Sequence, residues 1–130
     1  MLEKAMSVKR KHKILIVDDD ENVRKALRRW FETSGFTVEL AVDGGDAVEK
    51  CRHSAYDAVT MDYAMPQMNG REAVKAIRRH QPSLPIIILT GYSDTGVEEI
   101  TSPEVSLLYK PVSMRDLEDE IMRLIGAANS

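Results

Sequence analysis

Four short apolar runs constrain this chain more than any other feature, because each leads directly into a polar or charged residue. Short apolar runs that are closed by turn or polar residues are typical of buried parallel strands. In an open α/β sheet, ligands bind at the carboxyl ends of such strands. The pattern therefore predicts one polar edge that collects several functional side chains. The runs cover residues 14–17, 57–61, 86–89 and 105–109, and they lead into Asp18, Asp62, Thr90 and Lys110.

Helical patterns alternate with these strands. In residues 21–34, Val23, Leu27, Trp30 and Phe31 share one face, and Asp20 is a suitable N-cap. A fifth, short strand is predicted at residues 37–41, after Gly35 ends the first helix. A βα alternation implies a parallel sheet that is covered on both faces, with right-handed crossovers. The further predicted helices are residues 46–53, 71–80, 94–101 and 113–125, the last capped by Ser113 and closed by Gly126.

The length and charge of the chain limit its organisation and its partners. Its 130 residues suit one domain, which we place at residues 13–126 between tails at 1–12 and 127–130. The net charge of −3 provides no global field for nucleic acid or an anionic membrane. The basic run at residues 9–13 is interpreted as a solvated tail. Neither direct nucleic-acid binding nor membrane binding is predicted.

The chain shows no sign of export. No stretch has the length of a transmembrane helix, and the first residues lack the apolar centre of a signal peptide. The single cysteine, Cys51, cannot form an internal disulfide and lies on the inward face of a predicted helix, so we interpret it as a core residue. A cytoplasmic location is expected.

The strand ends carry the residue types that phosphoryl chemistry needs. Asp18 and Asp19 follow one strand and Asp62 follows another, and hard oxygen ligands of this kind suit Mg²⁺. Carboxylates held together repel one another, so at least one of them should have a raised pKa without the metal. Thr90 and Lys110 add a hydroxyl and an ammonium group that can bind an oxyanion. Asp20 is assigned instead to the helix N-terminus, where acids complement the dipole.

Four segments together resemble the receiver domain of two-component response regulators. The resemblance extends from about Lys13 to Ile125 and implies a flavodoxin-like, doubly wound (βα)5 fold with a five-stranded parallel sheet in the order 2-1-3-4-5. The combination is specific, although each segment by itself would be weak. The segments are residues 14–20 (ILIVDDD), 61–70 (MDYAMPQMNG), 89–92 (LTGY) and 109–111 (YKP).

The resemblance implies a role for each site residue. Asp62 would be the phosphoacceptor, taking a phosphoryl group from the phosphohistidine of a histidine kinase or a histidine phosphotransfer protein. Mg²⁺ would be bound by Asp19, Asp62 and the main-chain carbonyl of Ala64, and by Asp18 mostly through water. Lys110 would pair with one phosphoryl oxygen, and Thr90 would donate a hydrogen bond to another. The Lys110–Pro111 bond is expected to be cis. Such a chain is a phosphoacceptor signalling domain and not an enzyme in its own right.

The sequence departs from the family pattern where receivers change shape. The family's switch aromatic usually lies three residues before the lysine, and here that position holds Leu107. The connection from Thr90 to Lys110 is also short. We expect a homodimer or a downstream partner to dock on the face formed by residues 94–101, the fifth strand and residues 113–125.

Two other functions compete with this interpretation. The Asp18–Asp20 segment also resembles the first motif of haloacid-dehalogenase-like phosphatases, in which Asp18 would be the nucleophile and Asp20 the acid/base. That family needs an acidic pair in a strand-end loop after the lysine, and here the acids at residues 116–120 lie in a predicted helix. A flavodoxin-like cofactor binder is the third class. It would need a phosphate-binding glycine loop after the first strand, where this chain has acids.

Overall fold

A computed structural model of the chain describes residues 12–66, 68–91, 93–94, 96–100 and 105–128. The predicted N-terminal tail therefore lies outside these residues apart from His12, and so do residues 101–104 of the β4–β5 connection and 129–130 of the C-terminal tail. The elements within the described residues alternate along the chain as the sequence predicts. They are β1 Lys13–Val17, α1 Glu21–Thr33, β2 Thr37–Ala41, α2 Gly44–His53, β3 Ala58–Asp62, α3 Gly70–Arg78, β4 Ile86–Thr90, a 3-10 helix Val97–Ile100, β5 Val105–Tyr109 and α4 Met114–Ala128.

The five strands form one parallel sheet in the order β2-β1-β3-β4-β5, which confirms the predicted α/β class and strand order. Each face of the sheet carries its own apolar cluster. Leu15, Val59 and Ile88 point to the face covered by α2 and α3, whereas Ile14 and Ile87 point to the face covered by α1 and α4. The central strands β3 and β4 are buried along their whole length. Their polar ends are therefore held on a rigid support.

The first helix shows why the sequence pattern succeeds. The Asp20 carboxylate accepts hydrogen bonds from the backbone N–H groups of Asn22 and Val23, which satisfies two donors that have no partner within the helix. Leu27 and Phe31 are buried against the sheet. The helix ends at Thr33, and Gly35 follows with φ of 100°, a left-handed conformation that glycine adopts without steric cost.

The structure corrects several predicted helix boundaries, including that of the third helix, which is Gly70–Arg78 and not residues 71–80. The α-helix predicted at residues 94–101 is wrong: within the described residues this segment forms only the single 3-10 turn Val97–Ile100, because Gly96 has φ of 78° and interrupts any helix. The last helix does not end at Gly126 but continues to Ala128, since Gly126 keeps helical geometry and is followed by two alanines. The second helix starts at Gly44 because Asp43 caps it.

Candidate functional site

Three carboxylates meet at the carboxyl edge of the sheet, as the strand-end pattern predicts. Asp18 follows β1, Asp19 comes next, and Asp62 ends β3, and one oxygen of each lies within 4.8 Å of the others. Asp18 and Asp62 are buried whereas Asp19 is exposed. The group thus joins two fixed ligands to one that solvent can reach. Such a set of hard oxygen donors, open to water on one side, fits a magnesium ion.

The loop after β1 is held by hydrogen bonds that fix the Asp18 carboxylate. The Asp18 N–H still donates to the carbonyl of Ala41 in β2, at 3.2 Å. One Asp18 carboxylate oxygen then accepts the N–H of Asp20 at 2.9 Å, and the Asp18 carbonyl accepts a guanidinium N–H of Arg24 at 2.7 Å. The apolar spacing of α1 contains no signal for this contact of Arg24, so it was missed.

Burial and neighbouring negative charge both act on the carboxyl of Asp18. Burial raises the pKa of its carboxyl above the usual value, and the charges of Asp62 and Asp19 raise it further. The hydrogen bond from the N–H of Asp20 and the charge of Lys110 act in the opposite direction without cancelling the rise. The expected pKa rise within the carboxylate group is therefore confirmed. A divalent cation would favour the ionised form of all three groups.

Lys110 is the cation that faces Asp62. Its ammonium nitrogen lies 2.9 Å from a carboxylate oxygen of Asp62, and its own N–H donates to the carbonyl of Thr90 at 2.8 Å. Partial burial alone would lower the pKa of Lys110, but the hydrogen bond to Asp62 and the charges of Asp62, Asp18 and Asp94 raise it overall. Lys110 is therefore a firmly charged partner. The Lys110–Pro111 peptide bond is cis, as the sequence predicts.

Thr90 lies at the end of β4, fully buried, and its hydroxyl has a protein partner. The hydroxyl donates to a carboxylate oxygen of Asp94 at 2.7 Å, and the N–H of Gly91 donates to the same oxygen at 2.8 Å. These hydrogen bonds lower the pKa of Asp94. From the sequence, Asp94 is predicted only to lie at the start of a helix. An aspartate four residues after a strand-end threonine that is followed by glycine was the available signal for a side-chain turn.

Asp20, Ala64 and Leu107, the other residues singled out in the sequence, lie in three different parts of the fold. Asp20 is exposed and caps α1, as predicted. Ala64 is exposed in the loop after Asp62. That loop turns back closely: the Gly70 N–H donates to the carbonyl of Tyr63, and a Cβ at Gly70 would lie 3.1 Å from the Tyr63 Cα. Leu107 is half-buried against the cluster under α2 and α3. It provides no aromatic ring at the position where the family has its switch.

Sequence comparison agrees with this geometry. The sequence model for the response regulator receiver domain matches residues 14–122. The chain belongs to the response regulator receiver family. Among curated relatives, the receiver domain is 38% identical over 107 residues to the transcriptional regulatory protein ZraR of Klebsiella oxytoca and 37% identical over 108 residues to the response regulator MprA of Mycobacterium ulcerans (strain Agy99). Each alignment covers 81% of this chain but only 24% and 46% of the relative, so the chain spans less than half of either protein.

Solved structures give the same result. The receiver domain superposes on a response regulator receiver domain protein from Clostridium thermocellum with a TM-score of 0.81 and 27% identity, covering 91% of this chain and 97% of the other. A CheY-like receiver domain protein from Methanospirillum hungatei JF-1 gives a TM-score of 0.84 at 26% identity, with coverage of 91% and 96%. Membership of the family supports a role in two-component signal transduction. In the described residues, no helix of this receiver domain has both the length and the apolar character that crossing a membrane requires.

Proposed function

We propose that this receiver domain accepts a phosphoryl group on Asp62 from the phosphohistidine of a histidine kinase or a histidine phosphotransfer protein. The contact between Asp62 and Lys110, at 2.9 Å beside two further carboxylates, carries the proposal. An Asp62 oxygen would attack the phosphorus as the phosphorus–nitrogen bond to histidine breaks, and the imidazole would leave with its electron pair. The product is an acyl phosphate on Asp62 and a free histidine.

Magnesium fits the donors at this site. Asp18, Asp19 and Asp62 are the residues that would hold it, and we assign the main-chain carbonyl of Ala64 as a further ligand from the family resemblance. Bound there, the ion would neutralise charge on the transferring group, which is the main catalytic need of phosphoryl transfer. The ammonium of Lys110 would neutralise charge on the side of Asp62 that it contacts, and the Thr90 hydroxyl would donate to another phosphoryl oxygen.

The phosphatase alternative is not retained. It needs Asp20 as a mobile acid/base, but the Asp20 carboxylate accepts two backbone N–H groups of α1. It also gives no role to Asp62, which is buried and paired with Lys110.

Transfer of the signal from the phosphorylated site requires a partner. We propose that the face formed by residues 94–101, β5 and α4 takes a second copy of the chain or a downstream protein, in line with relatives named as regulators of transcription.

Incubation with acetyl phosphate and Mg²⁺, followed by intact mass, tests the proposal. The chain should gain one phosphoryl group, and Asp62→Asn should abolish the gain. Asp57→Asn is the matched control, because Asp57 lies at the opposite end of β3 and its carboxylate accepts the Lys13 N–H at 2.7 Å. Incorporation that survives Asp62→Asn, or that needs no divalent cation, would show that the acceptor is a different residue.

A further inference from the structure

Asp94 accepts a hydrogen bond from the only side-chain proton that the Thr90 hydroxyl can donate. The Thr90 hydroxyl is fully buried and donates to Asp94 at 2.7 Å, a much shorter contact than the one at 3.3 Å to the carbonyl of Gly91. A hydroxyl carries a single proton, so its main donation goes to one strong acceptor at a time. On the proposed function, Thr90 donates to the phosphoryl group, and this role conflicts with its hydrogen bond to Asp94. Thr90 must leave Asp94 before it can serve the phosphoryl oxygen.

The contact is built into a turn and is not a chance surface encounter. The same Asp94 oxygen accepts the N–H of Gly91 at 2.8 Å, while the Asp94 N–H donates to the carbonyl of Gly91 at 3.1 Å. The side chain and main chain of Asp94 thereby close the turn directly after β4. Hydrogen bonds to an ionised acceptor are shorter and stronger than neutral ones. Asp94 therefore competes with a phosphoryl oxygen on comparable terms.

The main chain of Thr90 is held in place by a hydrogen bond, so the hydroxyl does not leave Asp94 by a shift of the backbone. The Thr90 carbonyl accepts the N–H of Lys110, the residue that contacts Asp62. The main chain of Thr90 is thus tied to the site while its side chain is tied to Asp94. Rotation of the hydroxyl, with loss of the Asp94 contact, is the simplest way for Thr90 to reach a phosphoryl oxygen.

We propose that Asp94 is a positioning residue that holds the Thr90 hydroxyl away from the phosphoryl group and so weakens the phosphorylated-like state. Asp94 itself touches no reacting atom in this scheme. Its removal should strengthen binding of a phosphoryl mimic, whereas removal of a residue that merely supports the fold would weaken it. The sign of the effect therefore separates a positioning role from a structural one.

Beryllofluoride, formed from beryllium chloride and sodium fluoride at saturating Mg²⁺, is the probe, and its half-saturating concentration is followed by NMR of the backbone amides. We expect Asp94→Ala to lower that concentration by about tenfold, the scale of one hydrogen bond to a charged group. Asp94→Asn should lower it less, because the amide oxygen still accepts from Thr90. Since both variants remove the same charge, they should share one midpoint for Mg²⁺ alone.

Thr90→Val supplies the decisive background, because valine has nearly the same shape as threonine and no hydroxyl. In that background, Asp94→Ala and Asp94→Asn should bind beryllofluoride equally. If Asp94→Ala still has the larger effect when Thr90→Val has removed the hydroxyl, Asp94 acts through another group. Weaker binding in Asp94→Ala, or equal effects of the two variants with Thr90 present, would also overturn the proposal. If Asp94→Ala fails to fold, Asp94→Asn in the two backgrounds gives the same comparison.

The wild-type chain separates this proposal from the one on which it rests. If it takes up no beryllofluoride, or if Asp62→Asn takes it up equally well, the proposed phosphoacceptor function is wrong. If wild-type binding depends on Asp62 and Mg²⁺ but is indifferent to Asp94, only the positioning role of Asp94 is wrong.

Discussion

The Lys110 ammonium lies 2.9 Å from the carboxylate of Asp62, yet the two side chains differ in exposure, at 46% for Lys110 and 10% for Asp62. The acid is fixed by its strand and the cation reaches it from the solvent side. The charge of Lys110 offsets those of Asp62, Asp18 and Asp94. The same nitrogen would be available to a phosphoryl oxygen. In the proposed function, one residue would therefore stabilise both the resting site and the phosphorylated product.

Lys110→Met should lower the free energy of unfolding by about 1 kcal/mol, a modest value because the half-exposed ammonium is screened by water. Urea denaturation without Mg²⁺ measures it. Lys25→Met is the matched control, since its pair with Glu21 is 70% exposed on both sides and should cost less than about 0.5 kcal/mol. In an Asp62→Asn background the Lys110 change should cost less, because only the charges of Asp18 and Asp94 then remain to interact with Lys110. Equal losses in both backgrounds would mean that the contact with Asp62 adds nothing to stability.

Magnesium should raise the melting temperature, because an ion that binds only the folded chain stabilises it by mass action. Asp19→Ala should remove this response, since it deletes one of the three clustered carboxylates. Asp20→Ala is the neighbouring control: it should cost about 1 kcal/mol through loss of the α1 cap and leave the magnesium response in place. Thermal melts with about millimolar Mg²⁺, a range suited to an open site, test both variants. A response that Asp20→Ala abolishes would contradict the assignment.

Much of this site could be predicted from sequence, because strand ends in a parallel sheet share one edge. Asp18, Asp62, Thr90 and Lys110 follow apolar runs, and the topology alone brings them together. The partner of the Thr90 hydroxyl could not be predicted in the same way. It depends on the conformation of residues 91–94 and on the positive φ of Gly96, which ends any helical pattern there. Local side-chain hydrogen bonds of this kind have no periodicity in sequence.

Cys51 should resist alkylation until the chain unfolds. Burial raises the pKa of its thiol to about 11, so at pH 8 only about one molecule in a thousand carries the reactive thiolate. Iodoacetamide labelling followed by intact mass should be slow in buffer and complete in urea, with a rate in buffer that rises with pH up to about pH 11 as the thiolate fraction grows. Ala55→Cys in a Cys51→Ala background places a thiol at an exposed position and should label at once. Comparable rates in the two proteins would mean that Cys51 is not part of the core.

The segment after β4 should carry the signal from the site to the partner face. Phosphorylation can signal only by shifting an element between two states. With Leu107 at the switch position, an aromatic ring flip is not available, so residues 90–100 themselves should reorder. In the described residues this segment has one 3-10 turn as its regular structure, and it is held by the hydrogen bonds of Asp94 to Thr90 and Gly91 and by buried Val97 and Ile100.

Amide hydrogen exchange with and without beryllofluoride and Mg²⁺ should reveal that reordering. Protection is expected to change across residues 90–100 and along the first two turns of α4. The amides of β1 and α2 should keep their protection, because β1 lies inside the sheet and α2 packs against it. Asp62→Asn provides the control, in which the mimic should change nothing. Asp94→Ala should show part of the change before the mimic is added, because Thr90 is then already released. Changes confined to the amides around Asp18, Asp62 and Lys110 would mean that the site binds the mimic without altering this face.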